Sequence, residues 1–381
     1  MKKKIAIVFP WLNLYGGGEI FLEYCSNLLS KHYYVDLFIY DNKKKKHDNI
    51  NFKDTINIIK IKSNNSIVDF FCKRFMIFAQ AYIIYYFGFI KKNSYFFVFS
   101  ASGEFFSKFK TFQYIHMCIF SKNFLEYQNF GLNNFFKKLL RFFAVIITRF
   151  ILNIDKNKFF NVVTLTNSKW SLRRLNKTYT IKSKRVVYPT FAIPKLKKTT
   201  YKQFCNRLDN FVILGRVSND KNIIEGIKFF LKLNETISKV KLHIVGPIDK
   251  DYYKSIPSEY LNNNNIVFHG LLSNKNRNKL LSKSKYGLNF FHSEHFGRGV
   301  LEMQKMGMIV FAKNKGGVRE ILFNSHQKYN NYHDLMSKIK KVIYSSKLQK
   351  KILLKNQKYL LNNFSDKIFR NNFIPIFNKT K

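Results

Sequence analysis

Two glutamates, Glu294 and Glu302, are separated by seven residues in the stretch EHFGRGVLE. A strand-like apolar run precedes them, and a second one, 308–312, leads to a glycine pair at 316–317. This order predicts a strand, a loop with glycines, a short helix and another strand. Both carboxylates could then face one crevice at the carboxyl end of a sheet. There they could accept hydrogen bonds from sugar or ribose hydroxyls.

A basic pair, Arg216 and Lys221, follows the strand-like run 211–215. A guanidinium binds phosphate oxygens bidentately and an ammonium adds a point charge. Such a pair can neutralise the charge that grows on a departing diphosphate. In a chain with 67 Lys and Arg residues, a basic pair by itself is not informative. Its position directly after a strand makes it a candidate phosphate-binding pair.

A run of glycines, Gly16, Gly17 and Gly18, separates the strand-like run 5–9 from a helical pattern. A glycine-rich loop that leads into a helix presents backbone amides to an anion. A dinucleotide fingerprint is excluded because Phe21 occupies the position of its third glycine. The structural alternative is a tight turn from strand to helix.

The chain has 381 residues and alternates strand-like with helical segments, which predicts two domains with parallel sheets. Its net charge of +45 favours an anionic partner: nucleic acid, a membrane surface or a phosphorylated substrate. A coding bias towards Lys, Asn, Ile, Phe and Tyr explains the charge equally well. The four cysteines lack metal-ligand spacing and are interpreted as thiols of a reducing compartment.

Two apolar segments raise the question of a membrane. Segment 68–90 is predicted to form a buried or interface-touching helix, because its uncharged part is 16 residues long and a span needs about 20. Segment 134–154 is predicted to form a helix with Lys137, Arg141 and Thr148 on one side and large apolar residues on the others. It either lies on an anionic membrane or is a core helix with a basic edge.

The stretch EHFGRGVLE, followed by the glycine pair, resembles the signature of the family 4 glycosyltransferases, which are retaining enzymes of the GT-B fold. Its form is especially similar to the alpha-1,2-mannosyltransferases of lipid-linked oligosaccharide synthesis. The spacing of Gly215, Arg216 and Lys221 matches the same family, and the resemblance covers roughly 4–322. The bulky charge of Arg298 departs from the pattern, which leaves the donor open.

The resemblance implies an α/β, GT-B architecture of two Rossmann-like domains whose parallel sheets face a central cleft. On this basis we expect an acceptor-binding domain at 1–190, a linker at 191–209 and a nucleotide-sugar-binding domain at 210–360. We expect the last segment, 361–381, to form a helix that crosses back to the first domain.

The resemblance also assigns site residues. The expected catalytic residues are His116, Arg216, Lys221 and Glu294; the expected donor-binding residues are Gly16, Gly17, Gly18, Arg216, Lys221, Glu294, Phe296, Gly297, Glu302, Gly316 and Gly317. In this assignment Glu302 binds the ribose and Glu294 the sugar, and no protein nucleophile is required. No metal site is expected, and the motif Asp249-Lys250-Asp251 is interpreted as a helix cap.

The implied function is transfer of a hexose, with mannose favoured, from a nucleotide sugar to a glycan or lipid-linked glycan. GDP-mannose is the expected co-substrate and a UDP-sugar the alternative, with no permanently bound cofactor. The expected location is peripheral, on an anionic membrane surface at the cytoplasmic face, without a nucleic-acid partner. The alternatives are a basic nucleic-acid- or membrane-binding protein without transferase activity, and an inactive GT-B partner subunit.

Overall fold

The computed structural model describes residues 2–10, 12, 16–42, 50–90, 95–105, 107, 109–116, 118–120, 135–152, 162–179, 184–237, 239–292 and 294–378. The chain divides into two compact units. Unit 1 comprises Met1–Ala192 and Phe369–Lys381, and unit 2 comprises Ile193–Ile368.

Unit 1 alternates strands with helices, as expected from its short apolar runs. Its described strands form one parallel sheet of seven strands in the order β3-β2-β1-β4-β5-β6-β7. The elements are β1 (Lys4–Phe9), α1 (Gly17–Leu29), β2 (Tyr34–Tyr40), β3 (Ile56–Ile61), α2 (Ser66–Arg74), α3 (Met76–Tyr85), β4 (Val98–Ser100), β5 (Thr111–Ile115), α4 (Phe135–Ile151), β6 (Val162–Thr166), α5 (Lys169–Thr178) and β7 (Lys184–Val186).

The last helix of the chain, α15 (Asp366–Asn378), contributes to the core of unit 1. The ring of Phe373 lies 5.7 Å from that of Phe99, and the ring of Phe377 lies 5.3 Å from that of Phe97. All four rings are at most 1% exposed. Unit 1 is therefore built from both ends of the chain.

Segment 68–90 differs from the single helix that the sequence predicts. It contains most of α2, then α3, and then one turn of π-helix at Tyr86–Ile90. Phe75 separates α2 from α3 in an extended conformation, with φ −128° and ψ 120°. Across the described residues, no helix combines the length and the apolar character needed to cross a membrane.

Helix α4 has one buried side and one exposed side, and both carry apolar residues. Its buried side includes Thr148, which is 2% exposed and whose hydroxyl donates to the carbonyl of Ala144 at 2.6 Å. Arg141 is also largely buried, and this burial lowers its pKa to about 10. Ala144 and Val145 are buried on the same side, whereas a group of large apolar side chains faces outward: Leu139, Phe143, Ile146, Ile147, Phe150 and Ile151 are all exposed.

A buried carboxylate, Glu104, holds the segment that follows β5. It accepts hydrogen bonds from the backbone amides of Ile119 at 2.6 Å and Phe120 at 3.2 Å, and from the Tyr179 hydroxyl at 3.1 Å. Burial raises the pKa of Glu104, and the hydrogen bonds from these donors oppose that rise. Arg149 of α4 donates to the carbonyl of Phe120 at 3.0 Å, so this segment is also tied to α4.

Unit 2 repeats the alternation, and its described strands form a parallel sheet of six strands in the order β10-β9-β8-β11-β12-β13. The predicted cap at Asp249 is confirmed, because its carboxylate accepts from the amides of Asp251 and Tyr252. The elements are α6 (Tyr201–Cys205), β8 (Leu208–Leu214), α7 (Ile223–Asn234), β9 (Leu242–Val245), α8 (Lys250–Lys254), α9 (Ser258–Leu261), β10 (Ile266–Gly270), α10 (Asn274–Lys283), β11 (Ser284–Asn289), α11 (Arg298–Lys305), β12 (Ile309–Lys313), α12 (Val318–Ile321), β13 (Lys328–Tyr329), α13 (Tyr332–Ile343) and α14 (Ser346–Asn363).

Candidate functional site

The order of strands in unit 2 reverses direction at one place. Strands β9 and β10 follow β8 on one side, whereas β11, β12 and β13 follow on the other. Neighbouring strands β8 and β11 therefore send their connections in opposite directions, which leaves a crevice at their carboxyl ends. The loops that follow these two strands carry Arg216, Lys221 and Glu294.

The loop after β8 is shaped by two glycines. A Cβ added at Gly246, after β9, would lie 2.0 Å from the carbonyl oxygen of Gly215, so the two loops touch through backbone alone. Arg216 follows, and its guanidinium makes no hydrogen bond or ion pair with the residues that the structure describes. Its side chain is exposed at the carboxyl end of the sheet. It could contact an anion there without breaking an existing bond.

Lys221 and Glu294 form a direct ion pair. The Nζ atom lies 2.9 Å from Oε2 of the glutamate, and the two side chains are 21% and 19% exposed. The same Nζ lies 4.0 Å from the centre of the Phe291 ring. A cation over an aromatic face, in contact with a carboxylate, is held in a narrow range of positions. The pair thus joins the loop after β8 to the loop after β11.

The glycine pair locks the loop that carries Glu294. The amide of Gly317 donates to the carbonyl of Glu294 at 2.7 Å. At Gly316, where φ is +82°, an added Cβ would lie 2.4 Å from the same carbonyl oxygen of Glu294. At Gly317, an added Cβ would lie 2.0 Å from the carbonyl oxygen of His295. A side chain at either position would force the loops after β11 and β12 apart.

Helix α11 begins after Gly297, whose φ of +101° favours glycine. Its second residue, Gly299, approaches β8 so closely that a Cβ would lie 2.5 Å from the carbonyl oxygen of Leu214. This contact brings the amino end of α11 to the carboxyl end of β8. Backbone amides at that end can bind an anion.

Glu302 lies on α11 and is 8% exposed. Its carboxylate forms an ion pair with Arg277 of α10, with Nε and Oε2 separated by 3.4 Å. Arg277 cannot be recognised from the sequence, because nothing distinguishes it within a helix rich in Lys and Asn. Both glutamates of the motif therefore have a cationic partner.

Phe296, an expected donor-binding residue, is 3% exposed, and its ring lies 6.2 Å from that of Phe364. Its side chain therefore serves packing. A further polar contact links the same edge of the sheet, since Nζ of Lys313 lies 2.7 Å from Nδ1 of His292. Burial, assisted by the charge of Lys313, lowers the pKa of His292.

The remaining expected site residues lie in unit 1. Gly16, Gly17 and Gly18 follow β1 and begin α1, and His116 follows β5. The rings of Phe21, on α1, and His116 meet edge-on at 4.8 Å. An added Cβ at Gly18 would meet Phe9 at an ordinary 3.6 Å, so packing against the described residues does not require a glycine there.

In the part of the chain that the structure describes, no three His, Cys, Asp or Glu side chains come together as metal ligands. The described residues instead offer cations and carboxylates for a substrate. Arg216, Lys221 and the amino end of α11 suit a diphosphate, and Glu294 and Glu302 suit hydroxyl groups.

A family model described as "Glycosyl transferases group 1" matches residues 206–359. Unit 2 contains a glycosyl transferases group 1 domain. This glycosyltransferase domain includes Arg216, Lys221, Glu294, Glu302 and the glycine pair.

Three relatives share the description GDP-Man:Man(3)GlcNAc(2)-PP-Dol alpha-1,2-mannosyltransferase. The protein from Dictyostelium discoideum is 28% identical over 147 residues, which are 34% of this chain and 28% of the relative. The one from Mus musculus is 25% identical over 235 residues, which are 56% of this chain and 47% of the relative. The chain spans less than half the length of each relative that it matches.

Solved structures share the fold over nearly the whole chain. The sucrose-phosphate synthase of Thermosynechococcus elongatus has a TM-score of 0.70 at 14% identity and covers 99% of both chains. A glycosyltransferase from Rickettsia africae has a TM-score of 0.64 at 18% identity and covers 100% of this chain and 98% of its own. Anabaena HepE, solved with UDP and glucose, has a TM-score of 0.64 at 13% identity and covers 99% of this chain and 100% of its own. The chain has the GT-B fold, and the fold prediction is confirmed.

Proposed function

We propose that this protein is a hexosyltransferase that moves a hexose from a nucleotide sugar to a glycan or lipid-linked glycan acceptor. The observation that carries the proposal is the ion pair of Lys221 and Glu294. It lies at the carboxyl ends of β8 and β11, where the strand order of the glycosyltransferase domain reverses. A lysine in this position can exchange its bond to Glu294 for one to a diphosphate. The carboxylate is then available to accept hydrogen bonds from the hydroxyls of the sugar.

The proposed mechanism relies on charge stabilisation. Arg216 and Lys221 neutralise the departing diphosphate, and the amides at the amino end of α11 assist them. Glu302 binds the ribose and Glu294 the sugar. The acceptor attacks from the side on which the diphosphate leaves, so the anomeric configuration is retained without a protein nucleophile.

We further propose that unit 1 binds the acceptor. His116 and the Gly16 to Gly18 loop lie after β5 and β1, and both would act on the transferred sugar or the diphosphate. Among the described residues, nothing packs so closely on Gly18 that a glycine is required, which supports close approach of a ligand to this loop.

The proposed donor is GDP-mannose, with a UDP-sugar as the alternative. The first choice is supported by the activity named for the three relatives, and the second by a structure of the same fold that was solved with UDP.

We propose that the protein acts at the cytoplasmic face of an anionic membrane, to which α4 attaches it. The outward side of α4 carries large apolar side chains, with Phe150 86% and Ile151 69% exposed. The chain's net charge of +45 suits an anionic surface, which would add electrostatic attraction to apolar insertion. A lipid-linked acceptor would be reached from this position.

Titration calorimetry with GDP, UDP and their sugars tests the proposal. We expect one nucleotide to bind and Glu302→Ala to abolish this binding. The control is Lys279→Gln, which removes one exposed positive charge from α10. Failure of every nucleotide to bind the unaltered protein would refute the transferase function.

The same protein distinguishes the alternatives. Salt-sensitive retention on nucleic acid that survives Glu302→Ala, without nucleotide binding, would indicate a nucleic-acid-binding protein. Nucleotide binding without transfer to any glycan or lipid-linked acceptor would indicate a partner subunit.

A further inference from the structure

The contact between Arg277 and Glu302 joins two helices that are separate in the sequence. Arg277 lies in the first half of α10, and Glu302 lies in the middle of α11. Their side chains are 20% and 10% exposed, so water screens the ion pair only weakly. Within the described residues, Arg277 is the one cation within 4.0 Å of this carboxylate.

The geometry of the pair is incomplete. The separation of 3.4 Å between Nε and Oε2 makes an ion pair, yet Nε is buried and makes no hydrogen bond to a described residue. A buried carboxylate usually accepts well-aligned hydrogen bonds. With respect to the described residues, the carboxylate of Glu302 is therefore held by charge, while its capacity to accept hydrogen bonds is largely unused.

A second cation lies farther along α11. Lys305 is 4% exposed, and burial lowers its pKa to about 8, an effect that Arg298 strengthens and that Asp366 and Glu302 oppose. The charge of Glu302 thus affects the pKa of Lys305, although the two side chains do not form an ion pair within 4.0 Å. The close partner of Glu302 is Arg277.

We propose that Arg277 is a positioning residue of the donor site: it holds the Glu302 carboxylate in the orientation that accepts hydrogen bonds from the two ribose hydroxyls of the nucleotide. This inference rests on the proposed function. Arg277 acts through Glu302 and does not touch the reacting atoms. The pair extends the donor site to α10, a helix that the signature motif does not include.

The test measures the affinity of GDP and UDP, and of their 2′,3′-dideoxy analogues, for the unaltered protein and for Arg277→Gln. We expect the variant to bind the ribonucleotide at least about tenfold more weakly, since hydrogen bonds to charged groups are worth about 1.5–3 kcal/mol. The dideoxy analogue lacks the hydroxyls, so its affinity should change by less than about twofold. Lys279→Gln, with the same change of charge on the same helix, should leave both affinities unaltered.

A double-mutant cycle separates positioning from direct contact. In a Glu302→Gln background, Arg277→Gln should cause no further loss of ribonucleotide affinity, because the group through which it acts has lost its charge. Arg277→Lys restores the cation without the planar fork and should recover part of the affinity. Because this variant retains the charge next to a buried carboxylate, it also serves as the test if Arg277→Gln fails to fold.

Several outcomes would overturn the inference. Equal losses for the ribonucleotide and the dideoxy analogue would mean that Arg277 contacts the base or the diphosphate. A lower melting temperature with unchanged affinities would mean that the pair only joins two helices. Failure of the unaltered protein to bind any nucleotide would instead reject the proposed function itself.

Discussion

Replacing Phe150 by serine tests the proposed membrane surface at its most exposed side chain. The ring is 86% exposed, and full burial of a phenylalanine side chain is worth about 1.5–3 kcal/mol. Its loss should weaken partitioning onto vesicles by about 2 kcal/mol, or about 30-fold. Ile147 is 48% exposed, and adding Ile147→Ser should cost about 1 kcal/mol more, for a total of about 150-fold.

The assay is sedimentation of the protein with vesicles that contain phosphatidylglycerol, at low and at physiological salt. Vesicles of phosphatidylcholine alone report the apolar contribution without the electrostatic one. The matched control is Tyr344→Ser, which removes a 71% exposed aromatic ring from unit 2. All these side chains are exposed, so thermal unfolding should show little change in stability.

Equal partitioning of the unaltered protein and Phe150→Ser would refute the reasoning. It would show that the outward side of α4 does not enter the bilayer. An equal loss for Phe150→Ser and Tyr344→Ser would also count against it, because the effect would then come from any exposed aromatic ring. Binding that disappears entirely at physiological salt would leave only attraction between charges.

Three further predictions concern unit 2. Lys221→Gln keeps a hydrogen-bond donor for Glu294 but loses the charge that would face the leaving diphosphate. In a transfer assay, kcat should therefore fall by about 100-fold or more. An effect confined to KM would contradict this prediction. Gly317→Ala places a methyl group 2.0 Å from the carbonyl oxygen of His295. The melting temperature should therefore fall by roughly 5 °C, and nucleotide binding should be lost. An unchanged melting temperature together with unchanged nucleotide binding would contradict this prediction. Burial lowers the pKa of His243 to about 4, so the unfolded chain binds a proton that the folded chain does not, and stability should fall as the pH drops from about 6.5 to about 4. His243→Gln should flatten this part of the curve in thermal unfolding, and an unchanged slope would count against the assignment.

Short-range patterns were sufficient to locate most of the loops that carry the candidate site. The apolar run before Arg216 overlaps β8 and the run before Glu294 overlaps β11. In a parallel sheet the loops that follow these strands share one edge. The contact of Lys221 with Glu294 depends on β8 and β11 being neighbours. That arrangement follows from the alternating pattern only when a GT-B fold is assumed.

The partner of Glu302 could not be predicted. Arg277 precedes it by 25 residues and belongs to a helix with several other basic residues. Only the packing of α10 beside α11 selects which of these cations reaches the carboxylate. This packing depends on long-range contacts that leave no periodic signal.

Helix α4 shows a second limit of sequence patterns. Periodicity separates its two sides, but it does not say which side meets the rest of the unit. Thr148 can be buried because its hydroxyl bonds to the carbonyl of Ala144, while Phe150 stays outside. Likewise, the sequence around Phe75 contains no proline or glycine that would reveal the break between α2 and α3.

The place of α15 in the core of unit 1 affects the order in which the chain can fold during synthesis. Phe373 and Phe377 leave the ribosome about 180 residues after the rest of unit 1, which at about 5–20 residues per second corresponds to about 10–40 s. Over this period unit 2 emerges complete, whereas the nascent unit 1 exposes the apolar surface that these two rings later cover. Chaperones that bind such surfaces would therefore engage unit 1 for longer than its position at the amino end suggests.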